Sequence, residues 1–149
     1  MLKKLFIIMV SGLILTSCAG TTKQNAGGSI EAGSQEDLIV NVGDRVFFEF
    51  DSFELTVDAQ STLDAQAAWL KQYSDVAITI EGHADERGTR EYNIALGAKR
   101  ANIVSNYLMD AGIDAGRMNT LSYGKERPDV VGSTESAWSQ NRRAVTTVN

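Results

Sequence analysis

The sequence predicts an α/β (α+β) sandwich in which a mixed four-stranded sheet carries helices on one face. Three observations support this fold class. Short runs of apolar, β-branched or aromatic residues are spaced along the chain, and such runs are typical of strands. Longer segments between them show the apolar spacing of helices. The two kinds of segment alternate in the order β-α-β-α-β-α-β, which favours helices packed against a sheet.

The N-terminal segment has the pattern of a secretory signal peptide. Met1-Leu2-Lys3-Lys4 is basic, and the stretch from Leu5 to Leu15 is mostly apolar but too short to span a bilayer. Small residues follow this apolar stretch. We therefore expect residues 1–17 to be a signal peptide that is removed from the mature protein.

The end of the signal segment predicts a lipid anchor. Leu15-Thr16-Ser17-Cys18 resembles the lipobox of bacterial lipoproteins, in which the cysteine is acylated and becomes the new N-terminus. Cys18 is the only cysteine, so no disulfide can form within the chain. Ala19 follows, where Asp is the usual signal for inner-membrane retention. We expect attachment to the periplasmic face of the outer membrane through several acyl chains, including palmitate. An ordinary signal with an incidental cysteine is the alternative.

Residues 18–42 are predicted to be the lipidated cysteine and a flexible tether. They are rich in Gly, Ser, Thr, Gln, Asn and Ala, and no apolar periodicity is present before Leu38-Ile39-Val40. Such a composition buries too little apolar surface to become ordered. As a coil the tether would span roughly 27 Å, which would let a lipid-anchored domain reach away from a membrane. The globular domain is predicted to cover residues 43–149.

Charge and length limit the function of this domain. The chain carries a formal charge of −5, and loss of residues 1–17 would remove Lys3 and Lys4 and bring the charge to −7. An acidic domain without a basic stripe argues against nucleic acid as a partner. The 107 residues from 43 to 149 suit one domain that buries roughly two-thirds of its unfolded surface.

The predicted elements begin with an aromatic and β-branched strand. In chain order they are strand 45–51, helix 56–73, strand 76–80, a helix from Thr89 to about Ala111, strand 118–123, a short helix from Ser133 or Thr134 to Gln140, and strand 144–148. Thr56 or Asp58 caps the first helix, and Gly112 ends the second. The first helix has a buried stripe of Ala59, Leu63, Ala67 and Leu70. The second has an apolar face of Ile94, Ala98, Ala101, Val104, Leu108 and Ala111.

The turn at residues 81–89 is the centre of the predicted site. Gly82 and Gly88 permit backbone conformations that other residues disfavour. Asp85 lies in this turn, at the positive end of the following helix, and Arg100 lies about three turns along that helix. A carboxylate and a guanidinium that border one cleft suit a ligand with both an ammonium and a carboxylate. Alternatively, Asp85 and Arg100 pair with each other, or Asp85 caps the turn.

A family resemblance starts in the same turn. The segments that carry it are Gly82-His83-Ala84-Asp85-Glu86-Arg87-Gly88-Thr89-Arg90-Glu91-Tyr92-Asn93, Ala95-Leu96-Gly97 and Arg100-Ala101. They are similar to the signature of OmpA-like peptidoglycan-binding domains. The flanks Ser122-Tyr123-Gly124-Lys125-Glu126 and 135–145 resemble the lipid-anchored members of that family. The similarity runs from about Val46 to Val148 and implies the OmpA-like β-α-β-α-β-α-β fold. Ala84 stands where the family usually has Thr, which removes one hydroxyl near the site.

The resemblance implies which residues bind the ligand. In the family, the matching Asp and Arg hold the ammonium and carboxylate of meso-diaminopimelate in the stem peptide of peptidoglycan. Here these are Asp85 and Arg100, with Asn93 and Leu96 beside them. The further candidates are Phe50, Asp51, Arg142 and Arg143. Core packing is the alternative for Phe50, and a solvated pair at the strand end is the alternative for the two arginines.

The resemblance also implies the function. We expect a non-catalytic, lipid-tethered domain that grips the diaminopimelate stem and links the outer membrane to peptidoglycan. By the same resemblance it takes part in the Tol-Pal system, with TolB as a protein partner and a role in envelope constriction during cell division.

A cell-wall hydrolase that uses acidic residues near Asp85 is the rival hypothesis. Glycosidases need two opposed carboxylates, one with a raised pKa, whereas the acids here lie among Arg87, Arg90 and Arg100, which favour ionised forms. A single histidine and a lipidated cysteine make a metal centre with about three protein ligands improbable. We therefore expect no enzyme activity, metal or cofactor. A structural domain that binds only proteins is the third hypothesis.

Overall fold

The computed structural model describes residues 29–149, and it confirms the predicted fold class. The predicted signal peptide, Cys18 and the first part of the predicted tether lie outside the described residues. The elements are α1 (Gln35–Asn41), β1 (Arg45–Phe47), α2 (Val57–Gln72), β2 (Ile78–His83), α3 (Arg90–Asp110), β3 (Met118–Gly124), α4 (Glu135–Asn141) and β4 (Arg143–Val148). A single 3-10 turn, Ala115–Arg117, precedes β3. No helix within residues 29–149 is long and apolar enough to cross a membrane.

The four strands form one mixed sheet in the order β1-β4-β2-β3. Strand β4 is antiparallel to both β1 and β2, whereas β2 and β3 are parallel. A parallel pair needs a long crossover between its strands, and α3 makes that crossover. The carboxyl ends of β2 and β3 therefore lie at the same edge of the sheet, next to the N-terminus of α3.

The core lies between the sheet and the two long helices. All four residues of the predicted stripe on α2 are buried, which confirms that prediction. Strand β2 contributes Ile78 and Ile80, and α3 contributes Val104 and Leu108, all at most 1% exposed. The predicted caps are also confirmed, since the side chains of Thr56 and Thr89 accept hydrogen bonds from backbone N–H groups of α2 and α3.

The prediction of a flexible tether through residue 42 is wrong for its last part. Gln35–Asn41 forms helix α1, which is capped by Ser34, and Leu38 on this helix is fully buried in the core. The carboxylate of Asp37 accepts hydrogen bonds from Trp69 Nε1 and from Gly33 N, both at 2.9 Å. One buried leucine and the long-range bond from Trp69 order a segment whose overall composition is polar.

The predicted apolar face of α3 is wrong over its first two turns. Ile94 is exposed, and the helix instead buries Asn93, Leu96, Gly97 and Arg100. The reason is a close backbone contact: a Cβ on Gly82 of β2 would lie 1.8 Å from the carbonyl oxygen of Gly97. This contact presses the start of α3 onto the end of β2, with its polar residues facing inward.

Strand β1 ends earlier than predicted. It stops at Phe47, although Phe48 N still donates a hydrogen bond to Arg142 O at 2.9 Å. The following residues form a loop, and Asp51 within it has a positive φ of 51°. This loop, rather than a longer strand, carries Phe50 and Asp51 to the mouth of a cavity.

Candidate functional site

A cavity of about 370 Å³ opens where the loop after β1, the turn after β2 and the first turns of α3 meet. Its lining residues are Phe50, Asp51, Asp85, Arg87, Gly88, Tyr92, Asn93, Leu96 and Arg100. Six of the eight residues predicted for the ligand site are in this set. The structure thus brings together residues that are separated by up to 50 positions in the chain.

Asp85 forms a deep wall of the cavity and is 4% exposed. Its partner is Arg87, whose Nε donates to Oδ1 at 3.2 Å and whose Nη2 donates to Oδ2 at 2.6 Å. Arg142 Nη1 lies 3.5 Å from the same Oδ2. Burial acts to raise the pKa of Asp85, but the hydrogen bonds and charge of Arg87 more than offset it, so the pKa is lowered. The carboxylate is therefore ionised at neutral pH.

Arg100 is 0% exposed and lies against the same cavity. Its guanidinium donates to three backbone carbonyls: Nε to Ser52 O at 2.8 Å, Nη1 to His83 O at 2.8 Å and Nη2 to Glu49 O at 3.2 Å. It forms no ion pair with any carboxylate of residues 29–149. Burial lowers its pKa to about 10, although the charge of Asp85 acts in the opposite direction.

Asp85 and Arg100 are therefore not locked to each other as a structural ion pair. Each is held by other groups, Asp85 by Arg87 and Arg100 by carbonyls. A guanidinium has five N–H donors; Arg100 uses three of them on carbonyls, which leaves two. A buried cation without an ionic partner has a high desolvation cost, and an anionic group of a ligand would reduce it.

The start of α3 is held against this cavity by its own polar groups. The amide of Asn93 donates from Nδ2 to the carbonyls of Arg87 and Thr89, both at 2.9 Å. Gly88 between them has a φ of +93°, which a residue with a side chain rarely adopts. Asn93 thus closes the turn that presents Asp85 and Arg87. Asn93 therefore lines the cavity, as predicted, and also holds the turn in place.

The rim of the cavity is aromatic and exposed. Phe50 is 59% exposed, which argues against core packing as its role. Tyr92 is half exposed, and its hydroxyl donates a hydrogen bond to Asp51. This bond raises the pKa of Tyr92. Asp51 is thereby tied to α3, so the loop after β1 and the first turn of α3 form one continuous rim.

The two neighbouring arginines before and in β4 lie in different places. Arg142 is buried; its Nε donates to Phe48 O at 2.9 Å and its Nη2 contacts Glu135 Oε1 at 2.6 Å, while Nη1 reaches Asp85. Arg142 thus contacts the site only through Asp85 and does not line the cavity. Neither arginine is a solvated strand-end residue.

Arg143 is not part of this site, so the prediction that placed it there is not supported. Its guanidinium contacts the carbonyls of Arg127 and Asn141 at 3.3 and 3.4 Å, and its charge acts on His83. Arg142 is the C-cap residue of α4, whereas Arg143 is the first residue of β4, and their side chains have different partners. Burial, and next the charge of Arg143, lower the pKa of His83 to about 4, so this buried histidine is neutral at pH 7.

Sequence reasoning missed three lining residues, Arg87, Gly88 and Tyr92. Arg87 and Gly88 follow Asp85 in the same tight turn, and Tyr92 is in the first turn of α3. Their closeness in sequence to Asp85 and Asn93 was the signal that could have identified them as lining residues. What the sequence does not contain is the contact between Arg87 and Asp85, which depends on the path of the turn.

A second, larger groove of about 600 Å³ lies between β1 and α2. Each of its charged lining residues has a partner outside the groove or is open to solvent: Arg45 pairs with Asp44 at 2.9 Å, Arg142 pairs with Glu135 at 2.6 Å, and Glu49 and Asp58 are exposed. Within residues 29–149 no group of three or more His, Cys, Asp or Glu side chains could hold a metal ion. The cavity at Asp85 and Arg100 is thus the stronger candidate.

Comparison with known proteins agrees with this fold. The model of the OmpA family matches residues 47–142. That range contains the strand-end loop, the turn with Asp85 and Arg87, and the helix with Arg100. The chain therefore belongs to the OmpA family.

Its relatives place it within one group of that family. It is 53% identical over 150 residues to a peptidoglycan-associated lipoprotein of Rhizobium meliloti (strain 1021), covering 94% of this chain and 84% of the relative. It is 52% identical over 149 residues, with the same coverage, to that of Agrobacterium fabrum (strain C58 / ATCC 33970). The crystal structure of the peptidoglycan-associated lipoprotein from Burkholderia pseudomallei is 42% identical, with a TM-score of 0.69 over 71% of this chain and 90% of that one. Within the OmpA family, the chain belongs with the peptidoglycan-associated lipoproteins (Pal).

Proposed function

We propose that this protein is a non-catalytic module that binds peptidoglycan through the meso-diaminopimelate of the stem peptide. The observation that carries the proposal is the buried Arg100 guanidinium, which lies against the same cavity as Asp85 and has no carboxylate partner within residues 29–149. A ligand with a carboxylate and an ammonium at one end would supply an anion for Arg100 and a cation for Asp85.

The size and charge of the cavity support this ligand class. A volume of about 370 Å³ lies near the lower end of the roughly 300–1,000 Å³ of small-molecule sites, which suits one amino-acid side chain better than a sugar chain. The charged lining residues are two acids, Asp51 and Asp85, and two arginines, Arg87 and Arg100. Charges of both signs favour a zwitterion over a ligand of one sign.

The carboxylates beside the cavity do not support a hydrolase. A glycosidase needs one carboxyl group with a raised pKa as general acid. Here the pKa of Asp85 is lowered, and hydrogen bonds from Ser133 and Trp138 lower that of Glu86 as well. Both acids would be ionised at neutral pH and have no proton to donate. Binding without bond cleavage is the function that fits these groups.

The setting of the module follows from its family and its N-terminus. Under this proposal Cys18 carries the acyl chains, the protein lies on the periplasmic face of the outer membrane, and residues between Cys18 and α1 allow the domain to reach the cell wall. Participation in the Tol-Pal system, with TolB as partner, is part of the same proposal and rests on the family resemblance.

Asp85→Asn is the variant that tests the binding site. It keeps the shape of the side chain but removes its charge, so binding of a soluble stem peptide ending in meso-diaminopimelate should weaken by about 30-fold or more, because a desolvated charge contact is worth roughly 2–5 kcal/mol. Isothermal titration calorimetry measures this directly. Asp114→Asn is the matched control: Asp114 accepts a hydrogen bond from Gly116 N outside the cavity, and binding should not change.

Two further measurements decide between the candidate functions. Wild-type protein should bind the diaminopimelate stem better than a lysine stem, which lacks the second carboxylate. Equal binding of the two stems, or full binding by Asp85→Asn, would reject the assignment. Incubation with labelled cell walls should release no soluble fragments, and release would favour the hydrolase.

A further inference from the structure

Arg87 is bound to the carboxylate of Asp85, the group that would bind the ammonium of the proposed ligand. Its own backbone N–H donates to Asp85 Oδ1 at 3.1 Å, and its guanidinium makes two more bonds, one to each oxygen. With the contact from Arg142, every oxygen of Asp85 already has two donors. The ammonium of a bound ligand would have to share these oxygens or replace one of the donors.

The guanidinium of Arg87 is stacked between two aromatic rings. Its central carbon lies 4.0 Å from the ring centroid of Phe50 and 4.0 Å from that of Trp138. A planar cation between two ring faces is held by cation–π attraction on both sides. Trp138 is fixed in turn, because its Nε1 donates to Glu86 Oε1 at 3.0 Å. Two aromatic rings and one carboxylate thus hold Arg87 across the entrance to Asp85.

Of the two arginines on Asp85, Arg87 is the one that is free to leave. Arg142 is buried and bound at its other donors by Phe48 O and by Glu135. The side chain of Arg87 is 31% exposed and makes no hydrogen bond other than those to Asp85. To leave, Arg87 has to break only its contacts with Asp85, Phe50 and Trp138, and the nearby charges of Glu86 and Glu135 would attract it outside the cavity.

We propose that Arg87 takes the place of the ligand's ammonium on Asp85 in the free protein, and that binding of diaminopimelate exchanges one cation for the other. This inference rests on the proposed function. The exchange replaces one cation on the buried carboxylate by another, so Asp85 keeps a close counter-charge in addition to the 3.5 Å contact with Arg142, and losing that counter-charge would be costly. The exchange also favours ligands that carry an ammonium group. A ligand without an ammonium would either bind with Arg87 still in place or displace Arg87 and give Asp85 no replacement cation.

The exchange has a measurable consequence for affinity. Where a protein must leave a dominant closed state before it binds, its apparent affinity falls by the fraction of molecules that are open. Removing Arg87 removes the closed state. Arg87→Gln should therefore bind the diaminopimelate stem peptide more tightly than wild type, by about tenfold for a closed fraction near nine-tenths. If Arg87 instead remained in place and helped to hold the ligand, the same variant would bind more weakly.

The test compares wild type, Arg87→Gln, Trp138→Ala and Arg90→Gln by calorimetry with the soluble diaminopimelate stem peptide. Trp138→Ala removes one wall of the stack without touching the cavity lining and should strengthen binding by a smaller factor than Arg87→Gln. Arg90→Gln is the matched control, because Arg90 is in the same segment but pairs with Glu126 at 3.0 Å, outside the cavity. Its affinity should equal that of wild type. Thermal unfolding of each variant checks that it is folded.

A second measurement reports on Arg87 itself. The Nε–H resonance of Arg87 should lose its hydrogen-bonded character in NMR spectra when the stem peptide saturates wild-type protein. Weaker or unchanged binding by Arg87→Gln, together with an unchanged Nε–H resonance, would overturn the exchange while the proposed function stands. If neither wild type nor Arg87→Gln binds the peptide, the proposed function fails and the exchange fails with it. Binding by the variant alone would support the exchange strongly.

Discussion

Two arginines at different places in this domain make the same kind of contacts, but only one of them belongs to a candidate site. Arg100 donates to the carbonyls of Glu49, Ser52 and His83. Arg117, just before β3, donates to the carbonyls of Leu70, Tyr73 and Val76 at 2.8–2.9 Å. Each guanidinium thus ties together backbone segments that are distant in sequence.

The surroundings of the two guanidinium groups differ. Arg117 is partly exposed, so water shares the solvation of its charge, and it clamps the C-terminal end of α2 to the loop before β2. Arg100 is fully buried against a cavity whose other wall is Asp85. The bonds to carbonyls explain why both side chains are ordered. A buried charge beside a cavity indicates a ligand, so of these two arginines we include only Arg100 in the proposed binding site.

Arg100→Ala should change both stability and binding more than any other variant. It leaves three carbonyls without their donor and should lower the free energy of unfolding by roughly 3 kcal/mol, and it should abolish binding of the diaminopimelate stem peptide. Arg117→Ala should cost about 1–2 kcal/mol, because water can reach its carbonyls more easily, and should leave binding unchanged. Chemical denaturation and calorimetry measure the two quantities separately.

If Arg100→Ala does not fold, Arg100→Lys allows binding to be compared with that of Arg117→Ala. It retains the positive charge but not the planar set of donors, so it should stay folded while its binding weakens. Loss of binding in Arg117→Ala to the same extent as in Arg100→Ala would show that both arginines act only through stability.

The next effect is a loss of stability in mild acid without a loss of binding. His83 is the only histidine, and its folded pKa of about 4 lies below the ordinary 6.5. The unfolded chain therefore binds more protons between these values, and the free energy of unfolding should fall by about 2 kcal/mol from pH 7 to pH 5. His83→Asn should remove this slope in denaturation curves measured at several pH values.

Asp85 should behave differently over the same pH range. Its pKa is lowered, so the stability it contributes is complete above the ordinary carboxyl value and is lost only as pH falls through the folded value. Affinity for the stem peptide should stay constant from pH 7 to pH 5 while the protein is folded. A steep fall in affinity over this interval would contradict an ionised Asp85 in the site.

The smallest effect is expected from a pair of tyrosines. The hydroxyl of Tyr92 donates to Asp51 at the cavity rim, and that of Tyr107 donates to Asp64 at 2.8 Å on the outer surface. Tyr92→Phe should weaken binding about threefold, because Asp51 loses the bond that ties it to α3. Tyr107→Phe should not alter binding. Equal affinities of the two variants would show that the rim is not organised by this bond.

Much of the fold could be predicted because it depends on neighbours in the chain. The buried stripe of α2, the caps at Thr56 and Thr89 and the end of α3 at Gly112 follow from periodicity and local backbone preference. Helix α1 was missed because its order comes from Leu38 and Asp37 in contact with distant residues. The buried face at the start of α3 was predicted wrongly because the close contact between Gly82 and Gly97 turns a different side of the helix toward the sheet.

The charges available at the candidate site can be predicted from the order of residues along the chain. Asp85 in a glycine-bounded turn, and Asn93, Leu96 and Arg100 on one face of the next helix, are consequences of spacing. The partners of these charges depend on the folded protein: Asp85 pairs with Arg87, Arg100 contacts carbonyls alone, and Arg142 and Arg143 have different contacts. Spacing along a helix is set by local geometry, whereas ion pairing depends on distances and burial that exist only once remote segments have packed together.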